Sequence, residues 1–480
     1  MDIVIDISFL NEFFALPPGQ MIWRLFVVVG WIPVAILFLL AVRIIWLNYI
    51  RERWGRSINF ILLAIDIPRD NAQSPLAVEN MFTYFGGAHG SISFYEKWFE
   101  GKYQLSFSFE IVSIEGYTQF IIRTPEQFRN IVETAVYSQY PDAEITQVDD
   151  YVNNVAHHFP NEEWDISGAE FMMARNTMYP IKCYGEFEHQ MGPIETTFRD
   201  PMASLMDLCG SLGAGEQLWY QLIVIPIGFD WMVKADEEVD KILKRTAKTK
   251  DGLFKKLLVW IGEASEAIYS IWGEVEEKKD DKGLSMMELT PKQKKQVEGL
   301  HQKVSKLGFE FKIRVVYVAR PEVKNATKAF SGFVGFMKQF AALDLNNLKP
   351  DVDITMIKAD YFMSSYRLKE KKNRLMSNYV ARSDWSGRLP GIMNIEELAT
   401  IWHFPIGAVV KAPMVQMAPG RKAEAPSTLP LDMLTQEKDE NFDFEEEIFG
   451  TTEVQKENNK EFKKEEQTGS ESVPDNLPFV

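Results

Sequence analysis

The residues that could do chemistry in this chain are few and poorly spaced for it. The main glycine cluster is Cys209-Gly210-Ser211-Leu212-Gly213-Ala214-Gly215. Backbone amides in such a loop could cradle a phosphate if a lysine opened the following helix. Glu216-Gln217 stands at that place instead. A carboxylate there repels phosphate, so the cluster reads as a turn between a helix and a strand. His157 and His158 are adjacent and point different ways on either a helix or a strand, and no HExxH or CxxC spacing occurs. Cys183 and Cys209 lack ligand-like neighbours and read as buried small hydrophobes. There is no G-x-S-x-G elbow for a nucleophilic serine. Asp149-Asp150 reads as loop solvation or a cap rather than an acid–base pair. The expectation is a non-enzymatic chain with no catalytic residue, cofactor or metal. Two basic stretches could bind anions. Arg367, Lys369, Lys371, Lys372 and Arg374 could contact nucleic-acid phosphates, or could form a solvated helix face, the commoner cause of such a run. Lys241, Lys244, Arg245, Lys248, Lys250, Lys255 and Lys256 precede an apolar helical pattern. That arm could lie on an anionic membrane, and a packed helical hairpin is the reading favoured.

The element that must position everything else is near the start. Leu25 to Val42 is a run of 18 residues without a charge. As a helix it spans roughly 27 Å, close to the ~30 Å hydrocarbon core of a bilayer. Trp23 and Arg24 precede the run, and Arg43, Trp46 and Tyr49 follow it, as expected of residues at membrane interfaces. A spanning helix is expected over about 21–47, within an anchor of 21–50, with a kink at Pro33. The acidic start (Asp2, Asp6, Glu12) and the bulky residues after the run argue against a cleaved signal peptide. Arg51, Arg53 and Arg56 follow the run, and the first 20 residues hold no Lys or Arg. The positive-inside rule then puts residues 1–20 outside and the bulk in the cytoplasm, single-pass in a bacterial inner membrane.

The chain has 480 residues, 46% hydrophobic and 25% charged, with net charge −16. From Gln436 to Val480 there are 14 acidic and five basic residues, so the tail carries −9 and the body is only mildly acidic. That balance leaves no general basic face for nucleic acid. Over 57–151 the pattern is β-α-β-β-α-β, the ferredoxin-like arrangement. It comprises a strand at Ile58–Asp66, a helix at Leu76–Phe85, and a hairpin turning at Glu115-Gly116. A helix opened by a Thr124-Pro125-Glu126-Gln127 capping box and a strand at Ala143–Val148 complete it. A second α/β unit is expected over 175–350, with strands at Tyr179–Phe187, Gln217–Ile227 and Phe309–Tyr317. It carries a helical insertion at 231–281 and a second capping box at Thr290-Pro291-Lys292-Gln293. Residues 351–430 form a mixed segment with a short helix at Asn394–Phe404 and an extended Ala408–Met417, and 431–480 form a disordered acidic tail. The fold class is α+β: one transmembrane helix, then tandem ferredoxin-like units.

Several stretches together resemble a known family. They are Tyr179-Pro180-Ile181-Lys182, Phe187-Glu188, Asp200-Pro201, Gly215 to Gln221, Gly308 to Arg314, Asn394 to Pro405, Lys411-Ala412-Pro413 and the Arg421 to Pro430 ending. In their order they are similar to the segment before the motor in membrane-anchored ATPases of the conjugative coupling and type IV secretion class, in the form found in Gram-positive bacteria and the candidate phyla. The resemblance covers about residues 20–430. In that family a RecA-like motor with a Walker A loop follows, whereas here an acidic tail follows, so ATPase activity does not carry over. The resemblance implies a membrane-anchored, non-catalytic component of a translocation system that docks a separately encoded hexameric ATPase. Glu396, Glu397, Leu398, Trp402, His403, Phe404 and Pro405 would form the docking segment. The partners expected are the bilayer, that ATPase, DNA or protein as cargo, and further copies of the chain. A stomatin- or prohibitin-like membrane scaffold and a membrane-tethered nucleic-acid-binding protein are the alternatives.

Overall fold

The computed structural model describes residues 16–68, 71, 73–187, 200–244 and 289–406, all within the unit Met1–Arg421. Most of the expected external segment, the helical arm beyond Lys244, the extended Ala408–Met417 and the acidic tail lie outside them.

Helix α1 (Pro18–Val29) and helix α2 (Trp31–Gly55) meet at Gly30. The helix is interrupted at Gly30, three residues before the kink expected at Pro33. The proline ring opposes the carbonyl four residues back, and that is Val29, the last residue of α1. Pro33 itself lies in the first turn of α2, where its missing N–H costs nothing. At 25 residues, α2 is long and apolar enough to cross a membrane. Its side chains are exposed on every side, Val34, Leu37, Phe38 and Leu39 among them, and only Ile50 near its foot is buried.

After α2 come β1 (Phe60–Asp66), α3 (Pro75–Gly86), β2 (Phe107–Ile114), β3 (Tyr117–Pro125), α4 (Arg129–Tyr137) and β4 (Glu144–Val148). The four strands are all antiparallel and lie in the order β4-β1-β3-β2. The β2–β3 turn has φ of 53° at Glu115 and 91° at Gly116, so both turn residues are left-handed, as a two-residue hairpin demands. The expected capping box at Thr124 does not form. Pro125 closes β3, the hydroxyl of Thr124 donates to the Pro125 carbonyl, and a 3-10 turn over Glu126–Phe128 precedes α4.

The connectivity then repeats. Strand β5 (Asp165–Met173), α5 (Met202–Gly210), β6 (Glu216–Pro226), β7 (Gly308–Ala319), α8 (Ala326–Lys338) and β8 (Leu348–Pro350) follow, with α6 (Met232–Ile242) and α7 (Pro291–Val304) inserted between β6 and β7. These strands lie in the order β6-β7-β5-β8, the mirror of the first set. The second strand of each set, β2 and β6, pair antiparallel from Phe107↔Val224 to Ile114↔Gln217. The two units are therefore not separate domains but halves of one nine-stranded sheet related by an approximate two-fold at the β2–β6 seam. The ninth strand, β9 (Gly391–Asn394), pairs with the start of β7 and leads into α10 (Ile395–Ile401).

One strand expectation fails. Tyr179–Phe187 is not a strand; it ends in a 3-10 turn, and the second half begins earlier, at β5. In Asp165–Met173 the small and charged residues Ser167, Gly168, Ala169 and Glu170 mask the usual alternation.

One face of the sheet carries α3, α4, α5, α8 and α10 over a continuous apolar core that includes Phe82, Phe85, Phe109, Tyr220, Phe333 and Trp402. The other face is covered by α9 (Ser364–Val380) and residues 151–164, through Trp164, Trp219, Met376 and Tyr379. Each of these large side chains contributes roughly 1.5–3 kcal/mol by leaving water. Helices α6 and α7 pack on each other and close a smaller core around Trp231 and Leu300. The capping box at Thr290 forms as expected: Gln293 N–H donates to Thr290 Oγ1 at 3.4 Å, and Thr290 N–H to Gln293 Oε1 at 3.0 Å.

Candidate functional site

The segment expected to dock a partner is interior. Asn394 and Glu397 form a capping box, with Glu397 N–H 2.9 Å from Asn394 Oδ1 and Asn394 N–H 3.0 Å from Glu397 Oε2. Glu397 meets Lys303 at 2.8 Å, with both side chains almost wholly buried, and also accepts from Ile181 N–H at 2.9 Å. Glu396 and Glu79 share Lys306, at 2.8 and 2.7 Å. His403 lies between the Ala399 carbonyl at 2.8 Å and the Asp200 carboxylate at 2.9 Å. Leu398, Trp402 and Phe404 are buried, the two rings packing with Phe109, Phe120 and Tyr140. Half-buried Pro405 accepts through its carbonyl from Asn71 at 3.1 Å. The docking expectation for these residues is corrected, because a partner could reach them only by opening the core. They form a clasp instead: β9 extends β7 of the second half, and α10 packs on α3 of the first.

A second constellation crosses the seam on the opposite face. Glu110 of β2 stands opposite Gln221 of β6, Gln221 opposite Arg314 of β7, and Arg314 opposite Glu170 of β5. This row is buried and fully hydrogen-bonded. Gln221 donates to Glu110 at 3.1 Å and accepts from Arg314 at 3.2 Å, while Arg314 Nε is 2.7 Å from Glu170. Arg382, just past α9, grips Glu110 at 3.0 and 3.1 Å and also pairs with Asp150. Tyr151 donates to Glu110 at 2.9 Å and receives Tyr379 at 2.8 Å. Burial raises the Glu110 carboxyl, but Arg382, Ser108 and Tyr151 outweigh it and hold the group below its ordinary range. The loop after α9 is tied to the same row. Arg314 donates to the Ser386 carbonyl at 3.1 Å, and Arg388 N–H to Glu170 at 2.6 Å. Gly387 is at φ 88°, and a Cβ there would lie 2.4 Å from a Glu170 oxygen, so any other residue is strained and must displace the Glu170 carboxylate.

These buried charges fix the chain just past α9, and a surface appears on the outer side of α9 and in the turn before it. Tyr361 is 94% and Phe362 81% exposed, and Met363 and Tyr366 are exposed beside them. Tyr361 and Met363 hold left-handed φ of 65° and 50°, unusual for such side chains. Arg367, Lys369 and Arg374 of the sequence-expected basic patch are exposed on the same helix, and Lys371 is half-buried. Lys372 departs from the patch and pairs with Asp165, tying α9 to β5. The arrangement presents aromatic faces and fixed cations together, a surface suited to acidic or planar partners.

At the other end of α9, roughly 25 Å away along a 17-residue helix, a cleft of 840 Å³ opens against the foot of α2. Arg51, Arg56, Tyr103, Arg123, Asp384 and Trp385 line it. Arg51 lies 4.8 Å over the Trp385 ring and Arg123 3.7 Å over Phe60. Burial lowers the Arg123 guanidinium to about 10, with neighbouring Arg382 adding to the effect, and burial raises the Asp384 carboxyl. Of the other anchor residues, Trp23 and Arg24 are exposed on α1, Arg43 lies 6.0 Å over the Trp98 ring, and Trp46 Nε1 donates to the Trp98 carbonyl at 3.0 Å. Among the described residues no group of three or more His, Cys, Asp or Glu side chains is placed to hold a metal ion.

The sequence model of the family described as Domain of unknown function (DUF8128) matches residues 91–408, more than half of the chain. The chain belongs to the DUF8128 family. Comparison with curated proteins gives no match. The DUF8128 span contains the seam row, the α9 surface and the clasp, while α1, α2, β1 and α3 precede it. The cleft is thus built from both sides of that boundary, Arg51 and Arg56 from before it and Arg123 and Asp384 from within it.

The sequence reading missed the seam row and the exposed Tyr361-Phe362-Met363. In β7, Glu310, Lys312 and Arg314 alternate with apolar residues as a solvated face would, and periodicity alone cannot show that a second layer covers them. The Asn394-to-Glu397 spacing did carry a capping-box signal.

Proposed function

We propose that this DUF8128 protein is a membrane-anchored, non-catalytic docking platform, single-pass in a bacterial inner membrane with its sheet in the cytoplasm. In this reading it serves a type IV secretion-like or conjugative translocation system by holding a separately encoded RecA-like ATPase. The two halves of the sheet are read as ferredoxin-like units, on their β-α-β-β-α-β order and 4-1-3-2 strand arrangement. The observation that carries the platform reading is α9. Leu375, Met376 and Tyr379 bury its inner side and Lys372 pairs with Asp165, while its outer side and the turn just before it expose Tyr361, Phe362 and Tyr366 beside Arg367 and Lys369. Exposed aromatic side chains beside cations are the residue types that anchor recognition surfaces. The resemblance of the motif order supplies the class of partner.

The test is co-purification from detergent-extracted membranes with full-length tagged protein. The reading expects a RecA-like ATPase that is lost with Tyr361→Ala/Phe362→Ala/Tyr366→Ala and retained with Leu343→Ala, a change at an exposed apolar residue elsewhere. Large homo-oligomers without an ATPase would favour the membrane-scaffold alternative. A nucleic-acid reading draws on the same surface, because bases stack on exposed rings beside cations. It expects DNA binding that falls steeply with salt and is abolished by Arg367→Glu/Lys369→Glu.

A further inference from the structure

Residues 91–101 form an aromatic turn that packs on α2 rather than on the sheet. Ser93 caps it, its hydroxyl donating to Glu96 at 2.8 Å, and Lys102 pairs with both Glu96 and Glu100 at 2.9 Å. Those pairs occupy its carboxylates. Its rings pair one turn apart, Phe94 with the half-buried Trp98 at 5.8 Å and Tyr95 with Phe99 stacked at 5.1 Å. Phe94 is 73%, Tyr95 61% and Phe99 59% exposed, a concentration of bare aromatic surface that a water-facing turn does not favour.

The turn and the residues just after it are held along α2 from Arg43 to Trp54, about 16 Å of helix, with Trp98 at the upper end beside Arg43 and Trp46. Trp46 Nε1 donates to the Trp98 carbonyl at 3.0 Å, Arg43 lies over the Trp98 ring, and Trp54 packs edge-on to Tyr103 at 4.9 Å. Gly101, at φ 79°, lets the backbone close on the helix, since a Cβ there would stand 2.5 Å from the Ile50 carbonyl. Arg43 and Trp46 end the apolar run, and Tyr49 and Trp46 are exposed on α2 beside the turn. Tyr95 and Trp98 have a polar edge, Phe94 and Phe99 are apolar and Lys97 stands between them, a mix of residue types suited to the headgroup layer.

We propose that residues 91–101 are an interfacial membrane contact: Phe94, Tyr95 and Phe99 enter the headgroup layer of the same bilayer that α2 crosses, so the chain grips the membrane at two points. The inference rests on reading α2 as a membrane span. The second grip fixes the angle at which the sheet, and with it α9, faces the cytoplasm.

The test uses the full-length chain in phospholipid nanodiscs, spin-labelled at an introduced cysteine in Phe99→Cys, Phe38→Cys or Leu343→Cys. The unsubstituted chain sets the background from Cys183 and Cys209. Accessibility to oxygen is compared with accessibility to a water-soluble nickel chelate. The proposal expects an oxygen-to-nickel ratio at position 99 several-fold above that at 343 and approaching that at 38. A membrane-like ratio at 38 with a water-like ratio at 99 overturns the proposal and leaves the span standing. A water-like ratio at 38 overturns the span, and the proposal with it. Position 99 is exposed, so the label displaces no core contact.

Discussion

Lys303 and Glu397 show what this interior asks of a charge. Both are buried, 2.8 Å apart, and the remaining lysine protons go to the Thr177 and Ile392 carbonyls at 2.7 and 2.8 Å. Removing one partner strands the other, so Glu397→Ala should cost about 3–5 kcal/mol in chemical denaturation, whereas Lys303→Met/Glu397→Leu should recover only part of that loss, because Ile181 N–H, Asn394 N–H and the Thr177 and Ile392 carbonyls lose their partners. A single substitution costing under about 1 kcal/mol would contradict the buried pair. Glu110 makes a pH prediction. Its folded carboxyl is held below its ordinary value despite burial, chiefly by Arg382. Its contribution is therefore complete above the unfolded carboxyl value of about 4.3 and is lost as pH falls through the lower folded value. Melting measured from pH 7 down to pH 3 should show a shallower acid decline in Glu110→Gln than in the unsubstituted chain, from a lower starting stability. Parallel declines would refute this. At this scale the sequence was a poor guide. Glu110, Glu170 and Arg314 alternate with apolar residues like the wet side of their strands, because covering layers arrive from 41 or more residues away in the chain.

Elements were far more legible. The hairpin at Glu115-Gly116, the Thr290 capping box and the helix after Pro75 all rest on local chemistry, and all are present. Strand β5 escaped because tertiary pairing overrides its weak local preference. The motif order marks Asn394 to Pro405 as a recognition segment, but its apolar residues serve the clasp between halves. Its ring content signalled burial, not docking. The recognition role passes in our account to α9, whose two sides have separable jobs. Phe362→Ala/Tyr366→Ala should leave thermal stability within about 0.5 kcal/mol, since both side chains are exposed. Tyr379→Ala, from the buried side of the same helix, should cost about 3–5 kcal/mol. Equal losses from the two variants would show that the outer rings are structural.

At the scale of the whole molecule, the sheet is continuous across the β2–β6 seam, and the clasp ties the last described helix to the first half. Two domains on a linker would melt apart. One sheet should unfold in a single transition, with far-ultraviolet circular dichroism and tryptophan fluorescence coinciding. Two resolved transitions would contradict it. The repeat was visible in the order of elements, yet its fusion into one body was not, because β2–β6 pairing joins residues about a hundred positions apart. The central claim is that this anchored body presents α9 to a translocation ATPase, and photo-crosslinking in living cells tests it most directly. With a benzophenone amino acid at position 362 of the full-length chain, the account predicts a crosslink to a RecA-like ATPase that is absent with the probe at 343. Crosslinks at 362 only to a second copy of the chain, or to no protein at all, would contradict it.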